Sequence, residues 1–207
     1  MFFPSCSSWF VNDYCVLDLE TTGLKAKACE IIEVGIVKVR NGQTVSKMSV
    51  LIRPKTLPIP PFITRLTGIT TEMVASAPSI EEVSYWIYDF IGSDPILGYN
   101  VLFDLSFLRA HTTKHTPNNC FLDVLALARI CFPELSSHSL SNMTAHLHLY
   151  QNTHRAIDDC IATYQLYEIC KQMLVGKTNR EIDNMIEEFR QQRRARRYYS
   201  KQSGRSR

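Results

Sequence analysis

The sequence predicts an α/β fold: a mixed five-stranded sheet flanked by helices. Its first quarter holds three strand-like segments in succession, and short apolar segments then alternate with helical ones. Successive strands favour an antiparallel meander, whereas alternation with helices favours parallel strands. With 45% hydrophobic residues in 207, the chain can bury one sizeable core, so we expect one main domain.

The predicted meander consists of β-branched segments bounded by turn residues. Tyr14–Glu20 (YCVLDLE) ends at a Thr-Thr-Gly turn, and the segments 29–40 and 44–54 flank the tetrapeptide RNGQ. Asn-Gly between two such segments is a strong hairpin signal. These three strands should therefore pair antiparallel.

The later elements follow from helical periodicity and capping signals. Ser79 and Glu82 form a predicted capping box for a helix over 79–92, and Gly68 separates two short helical turns before it. The remaining predictions are a strand over 95–100, a helix over 101–111, a fifth strand over 119–125 running into a helix, a short helix over 139–149 and a long helix over 156–174.

We divide the chain into a domain over 1–176 and an appended segment over 177–207. A capping box from Thr178 to Glu181 and a narrow apolar stripe predict an amphipathic helix over 178–189, which could bind a polymerase or another protein. From 189 to 207 there are eight Lys or Arg residues and no acid. Such a tail either binds a polyanion or is a solvated, disordered end.

The cysteine content and the apolar runs indicate which classes of protein the sequence does not fit. The seven cysteines are scattered without a CxxC pair, which predicts neither a disulfide framework nor a structural zinc site and favours a reduced, cytoplasmic location. No apolar run reaches the roughly 18 residues of a membrane span, and the apolar start lacks the basic region of a signal peptide.

Two carboxylates interrupt the first predicted strand. Asp18 and Glu20 are two residues apart, so a strand places both on one face near its carboxyl end. Like charges at that distance repel unless a cation lies between them, and Mg²⁺ and Mn²⁺ prefer such oxygen ligands. A solvated strand end is the alternative.

Three further residues have the same kind of position. Asp104 falls in the first turn of a helix after the fourth strand, and Asp159 falls in the first turn of the long helix. Each could simply stabilise a helix dipole. His154 lies in the loop before the long helix, where an imidazole suits a general base. Because ligands gather at strand carboxyl ends, four acids and a histidine suit a two-metal hydrolytic site.

These motifs resemble a known family. DLETTGL, GYNVLFDLSFL and HRAIDD, in that order, are similar to the three motifs of the DnaQ-like 3′–5′ exonucleases. That family has an RNase H-like fold and includes the proofreading epsilon subunit of bacterial DNA polymerase III. The resemblance spans roughly residues 12 to 174.

The resemblance implies a role for each matching position. Asp18, Glu20, Asp104 and Asp159 would hold two divalent cations, Mg²⁺ or Mn²⁺, and His154 would be the general base, as in the histidine subfamily. The positions implied to hold the terminal nucleotide are Thr21, Leu66, Thr67, Asn100 and Phe103, the last of which could instead be core.

The resemblance also implies a particular reaction, and alternative substrates and an alternative function stay open. We expect a metal-dependent exonuclease that releases nucleoside 5′-monophosphates from the 3′ end of single-stranded DNA. RNA or oligoribonucleotides are alternative substrates, and a non-catalytic nucleic-acid or polymerase-binding module on the same fold is the rival class. Tyr99 departs from the histidine that many members carry, and the family's Gln-rich clamp-binding peptide is not evident.

Overall fold

The computed structural model describes residues 5–112, 119–150 and 153–203, with side chains described through residue 195. The strands are β1 Tyr14–Thr21, β2 Ile31–Arg40, β3 Gln43–Leu51, β4 Ile96–Gly98 and β5 Phe121–Asp123. The helices are α1 Pro61–Thr67, α2 Thr71–Ala75, α3 Ile80–Ile91, α4 Leu102–His111, α5 Val124–Cys131, α6 Leu140–Leu147, α7 Ala156–Met173 and α8 Asn179–Ser203.

The predicted mixed five-stranded sheet is confirmed. Its order is β3-β2-β1-β4-β5, with β1, β2 and β3 antiparallel and β4 and β5 parallel to β1. The predicted hairpin lies between β2 and β3, where Asn41 (φ 50°) and Gly42 (φ 72°) both adopt left-handed backbone. Two such residues in succession match the twist of the flanking strands. The capping boxes at the starts of α3 and α8 also form as predicted.

Strand β1 lies at the centre of the sheet and contributes to two cores. Tyr14 and Val16 pack on the face covered by α5 and α7. Cys15 and Leu17 pack on the opposite face, covered by α3 and α4. Because side chains alternate along a strand, Asp18 and Glu20 continue the row of Tyr14 and Val16 towards α7.

Helix α8 packs its apolar stripe against the body of the protein. Ile182 and Ile186 are buried in the core formed with α5 and α7, and Trp9 Nε1 donates a hydrogen bond of 2.8 Å to Asp183. The stripe is therefore covered by the chain itself, and a protein partner would meet the polar face of the helix. The helical backbone continues past residue 189 to Ser203. The division at residue 176 stays a prediction.

The expectation that the cysteines would not pair is wrong for Cys6 and Cys120, which form a disulfide. The segment before β1 runs beside β5, with a parallel bridge between Ser5 and Phe121, and this brings the two thiols together. Their 114-residue separation gave no sequence signal. The cysteine pattern therefore no longer supports a reduced compartment.

Within the described ranges, no helix is long and apolar enough to cross a membrane.

Candidate active site

The candidate site lies at the carboxyl edge of β1, between the first turns of α4 and α7. Glu20, His154 and Asp159 bring one possible ligand atom each within 4.8 Å of one another. Glu20 belongs to β1, whereas His154 and Asp159 flank the start of α7. The sheet and one helix terminus thus assemble three residues that are up to 139 positions apart in the sequence.

Asp104 joins this group from the other side of the sheet edge. It is buried in the first turn of α4, and its Oδ1 accepts a hydrogen bond of 3.0 Å from the backbone N–H of Leu19. This bond fixes the carboxylate beside β1, at the residue that separates Asp18 from Glu20 in sequence. The expected convergence of the four acids and the histidine is thus found, but their roles stay a prediction.

The acids are close enough to perturb one another. Burial, followed by the charges of Asp104 and Asp159, raises the pKa of Asp18 well above its usual value. Burial, then Asp159 and Glu33, raises the pKa of Glu20 to about 8. Burial also raises the pKa of Asp104, against the opposing effect of the backbone N–H groups that bond its carboxylate. Negative charge at this edge is therefore undercompensated by the protein itself.

Asp159 carries the clearest sign of a missing partner. Its residue is 7% exposed, and its Oδ1 is buried without a hydrogen-bond partner among the described residues. Burial and the charge of Asp158 raise the pKa of Asp159 to about 7. Buried carboxylate oxygens are normally satisfied, so this one is suited to accept a cation.

Asp158 points elsewhere, although it adjoins Asp159. Its carboxylate accepts hydrogen bonds from the hydroxyls of Thr153 (2.5 Å) and Tyr150 (3.2 Å). It therefore ties the loop before α7 to the helix. Within that loop, His154 has a left-handed backbone with φ 55°. This conformation is costly for a residue with a Cβ and is often found at functional sites.

A buried ion pair that sequence reasoning missed fixes the start of α7. Glu33 of β2 is fully buried, and the Arg155 guanidinium donates to it through Nε (3.0 and 3.1 Å) and Nη2 (2.7 Å). The backbone N–H of Ala156 adds a bond of 3.0 Å. Glu33 also pairs with Glu20 across the β1–β2 ladder. The sequence did contain a signal for Glu33, because an acid inside an apolar strand segment is the same pattern that identified Asp18 as a candidate.

Gly35 lets α7 approach the sheet this closely. It lies opposite Asp18 on β2, and a Cβ built there would be 2.4 Å from the carbonyl carbon of Ala156. No side chain fits that space, so the first turn of α7 rests directly on the strand. A glycine inside an otherwise β-branched strand often marks such a close approach.

The residues implied to hold a nucleotide differ in accessibility. Leu66 is half-exposed on α1, and Asn100 is exposed with φ 65°, its backbone N–H bonded to Asp123 at 2.9 Å. Thr21, at the end of β1, is buried and its hydroxyl donates to the carbonyl of Gly23.

Thr67 and Phe103 are less available. The Thr67 hydroxyl is buried, donating to Ile63 and accepting from the N–H of Ile69, so its side chain serves the turn after α1. Phe103 is partly buried and packs on Phe107 with 4.9 Å between ring centroids. Phe103 therefore contributes to the core, which is the alternative role that the sequence analysis gave for it.

Fold and acid cluster together define a class, the nucleases with an RNase H-like sheet and carboxylates at its edge. The family described as Exonuclease, RNase_T, matches residues 15–167, and the chain belongs to this family. The expected membership among the DnaQ-like 3′–5′ exonucleases is thereby confirmed, and with it the class of hydrolase.

Individual relatives agree with this assignment. The chain is 37% identical over 160 residues to a DNA polymerase III PolC-type of Clostridium perfringens, covering 76% of this chain and 11% of that protein. It is 37% identical over 158 residues to the 3′-5′ exonuclease DinG of Staphylococcus aureus, covering 74% of this chain and 17% of that one. The chain thus spans only a small part of these curated relatives.

A solved structure of Exonuclease X in complex with 5′ overhanging duplex DNA is also similar. It has a TM-score of 0.66 and 28% sequence identity, and the match covers 84% of this chain and 99% of that one.

Proposed function

We propose that this domain is a metal-dependent exonuclease that hydrolyses single-stranded DNA from its 3′ end and releases nucleoside 5′-monophosphates. The observation that carries the proposal is the convergence of Asp18, Glu20, Asp104, Asp159 and His154 at one sheet edge. The orphaned Oδ1 of Asp159 and the raised pKa values of the acids support a cation-binding role.

Asp18, Glu20, Asp104 and Asp159 would hold two divalent cations, Mg²⁺ or Mn²⁺. Their carboxylate oxygens fit hard cations, and the repulsion among the acids is what a cation would relieve. Bound there, the cations would polarise the scissile phosphate and lower the pKa of a water molecule.

His154 is the proposed general base. It lies beside Glu20 and Asp159 on a partly exposed loop, so its imidazole can take a proton from an attacking water. The bonds of Asp158 to Thr153 and Tyr150 hold that loop. The Glu33–Arg155 pair holds the helix start that follows it.

The terminal nucleotide would lie between α1 and the start of α4. The exposed Leu66 side chain can pack on its base or sugar, while Asn100 and Phe103 border the opposite side. Thr21 and Thr67 would contribute through their backbone, since their hydroxyls bond within the protein.

DNA is favoured as the substrate because one relative is a DNA polymerase III PolC-type and because the Exonuclease X complex holds a 5′ overhanging duplex DNA. RNA is the second candidate, since a metal site of this kind could also hydrolyse an RNA phosphodiester and discrimination would require contacts to the 2′-hydroxyl. A polymerase partner and a cytoplasmic location are proposed on the same grounds.

The test is degradation of a 5′-labelled single-stranded DNA oligonucleotide with Mg²⁺, Mn²⁺ or EDTA, followed on a sequencing gel. We expect a ladder that shortens from the 3′ end, requires the cation and disappears in Asp18→Ala and Asp159→Asn. Asp158→Asn is the matched control and should keep the ladder, since the amide oxygen can accept one of the two hydroxyl protons and the amide NH2 can donate to the other hydroxyl oxygen. Binding of the oligonucleotide without degradation would instead favour the non-catalytic module, and degradation of matched RNA alone would change the substrate.

A further inference from the structure

A positively charged site lies apart from the acid cluster. A cavity of about 640 Å³ opens between the end of α5, the loop before α6 and the middle of α8. Arg129 of α5 and Arg193 of α8 line it from opposite sides, together with Ser137, His138 and Ser139. None of these residues belongs to the exonuclease motifs.

Neither arginine forms an ion pair with an acid whose side chain the structure describes. Among the residues whose side chains are described, neither Arg129 nor Arg193 takes part in an ion pair, and Arg129 Nε is buried without a hydrogen-bond acceptor. A buried N–H of a permanent cation is costly when unpaired. An anion in the cavity would satisfy it and relieve the repulsion between two guanidinium groups.

The pKa of Arg129 is also consistent with a buried guanidinium group that lies close to other positive charges. Burial is the main effect that lowers the pKa of Arg129, and the charges of Arg193 and Arg190 add to it. The carboxylate that acts on Arg129 is Asp123, and this group already accepts the backbone N–H groups of Asn100 and Leu125. Asp123 does not line the cavity.

The polar wall of the cavity suits phosphate oxygens. Ser139 caps α6, and its hydroxyl oxygen accepts the N–H of Asn142, which leaves the hydroxyl proton to donate. Ser137 supplies a second hydroxyl on the same loop. Guanidinium groups bind phosphate through paired N–H donors, so two arginines and two hydroxyls form a complementary set.

The cavity is connected to the candidate active site through Tyr99, the residue directly after β4. The hydroxyl of Tyr99 donates to the carbonyl of His138 at 2.6 Å, and Tyr99 directly precedes Asn100. The sequence around Arg193 is itself basic, with eight Lys or Arg residues and no acid from 189 to 207. A basic segment of this length favours an extended polyanion over a small anion.

We infer that Arg129 and Arg193 bind a backbone phosphate of the nucleic-acid strand whose 3′ end lies at the acid cluster. The inference rests on the proposed function for the choice of ligand. It assigns a strand-holding site at a distance from the scissile bond, built jointly by the exonuclease core and α8.

The experiment measures affinity of a fluorescein-labelled single-stranded 20-mer against salt concentration, in EDTA so that no hydrolysis occurs. Arg129→Gln/Arg193→Gln is compared with Lys47→Gln/Arg180→Gln, which removes the same charge from exposed positions outside the cavity. For the cavity variant we expect the affinity for the oligonucleotide to be about tenfold weaker. The slope of the logarithm of the binding constant against the logarithm of the salt concentration should also be shallower, by roughly 0.7 for each phosphate that the protein no longer neutralises. The control variant should keep the slope.

Equal slopes in the two double variants would overturn the inference. Should the cavity variant unfold, Arg193→Glu alone replaces it, since that residue is exposed on α8. Inorganic phosphate is titrated at constant ionic strength in parallel. If phosphate stabilises only the wild-type cavity while the oligonucleotide affinities stay equal, the site binds a free anion and the strand assignment is wrong.

This readout is independent of turnover. A changed slope in a protein that degrades nothing would support the cavity and refute the exonuclease proposal. Normal degradation with an unchanged salt slope would support the exonuclease proposal and refute the phosphate-binding role of the cavity.

Discussion

Replacing Arg155 by alanine should destabilise the fold strongly, because it leaves a buried carboxylate unpaired. Glu33 has no exposed side-chain surface and accepts three guanidinium contacts of 2.7–3.1 Å from Arg155. After the replacement, the donors to Glu33 that remain among the described residues would be the N–H of Ala156 (3.0 Å) and the hydroxyl of Ser49 (3.3 Å). Breaking a buried pair by removing one partner costs about 3–5 kcal/mol.

The lower end of that range applies here. The Arg155 side chain is 36% exposed, so solvent already weakens the pair, and two neutral donors still bond Glu33. We therefore expect a loss of about 3 kcal/mol in the free energy of unfolding. For a chain of this size that corresponds to a melting temperature lower by roughly 6–12 °C.

The assay is equilibrium urea unfolding followed by circular dichroism, with EDTA present. Lys55→Ala is the control, because it breaks an equally short ion pair, 2.6 Å to Glu81, whose side chains are 73% and 49% exposed. It should leave the unfolding curve unchanged.

A double variant separates charge from packing. Arg155→Ala/Glu33→Gln replaces the buried charge by a neutral amide, so it should be more stable than Arg155→Ala alone. A single variant within about 1 kcal/mol of wild type would refute the assigned role of the pair. A double variant no more stable than the single one would show that reduced packing, rather than an unpaired charge, causes the destabilisation.

Three further predictions concern the acid cluster and its support. Burial and neighbouring acids raise the pKa of Glu20 from 4.5 to about 8 and that of Asp159 from 3.8 to about 7. Because both carboxyl groups hold their protons more tightly in the folded state, their contribution to the free energy of unfolding is greatest below the ordinary pKa values. This contribution is lost as the pH rises through the raised pKa values. The melting temperature in EDTA should therefore fall between about pH 4 and pH 8, and a flat profile would contradict the cluster. Mg²⁺ should reduce that fall by binding the native state. His154→Ala should keep the fold and calorimetric Mn²⁺ binding but lower the single-turnover rate by about 10²–10⁴-fold, whereas full activity would remove its role as base. Gly35→Ala should lower the melting temperature and the activity together, since its methyl group would displace α7, and wild-type values for both would disprove the close contact.

Local patterns in the sequence determined much of this protein. The Asn-Gly dipeptide specified the hairpin through its left-handed backbone, and Ser79 with Glu82 specified the start of α3. The two-residue spacing of Asp18 and Glu20 placed both on one face of β1. Each of these features depends on backbone preferences and hydrogen bonds within a few residues, so it can be recognised without knowing the fold.

The order of three motifs carried the family resemblance, and with it the expected meeting of Asp104, His154 and Asp159 at the end of β1. Their residue types alone did not require this meeting, because an acid in the first turn of a helix also stabilises the helix dipole. The structure adds the hydrogen bond from Leu19 to Asp104 and the unsatisfied oxygen of Asp159.

Only the tertiary structure decided which distant residues support the site. Glu33 and Arg155 are 122 positions apart, and Cys6 and Cys120 are separated by 114. The cavity between α5 and α8 likewise depends on how a terminal helix packs against the core. Such contacts are set by the register of strands and the packing of helices, which sum many weak interactions along the whole chain, so no short stretch of sequence encodes them.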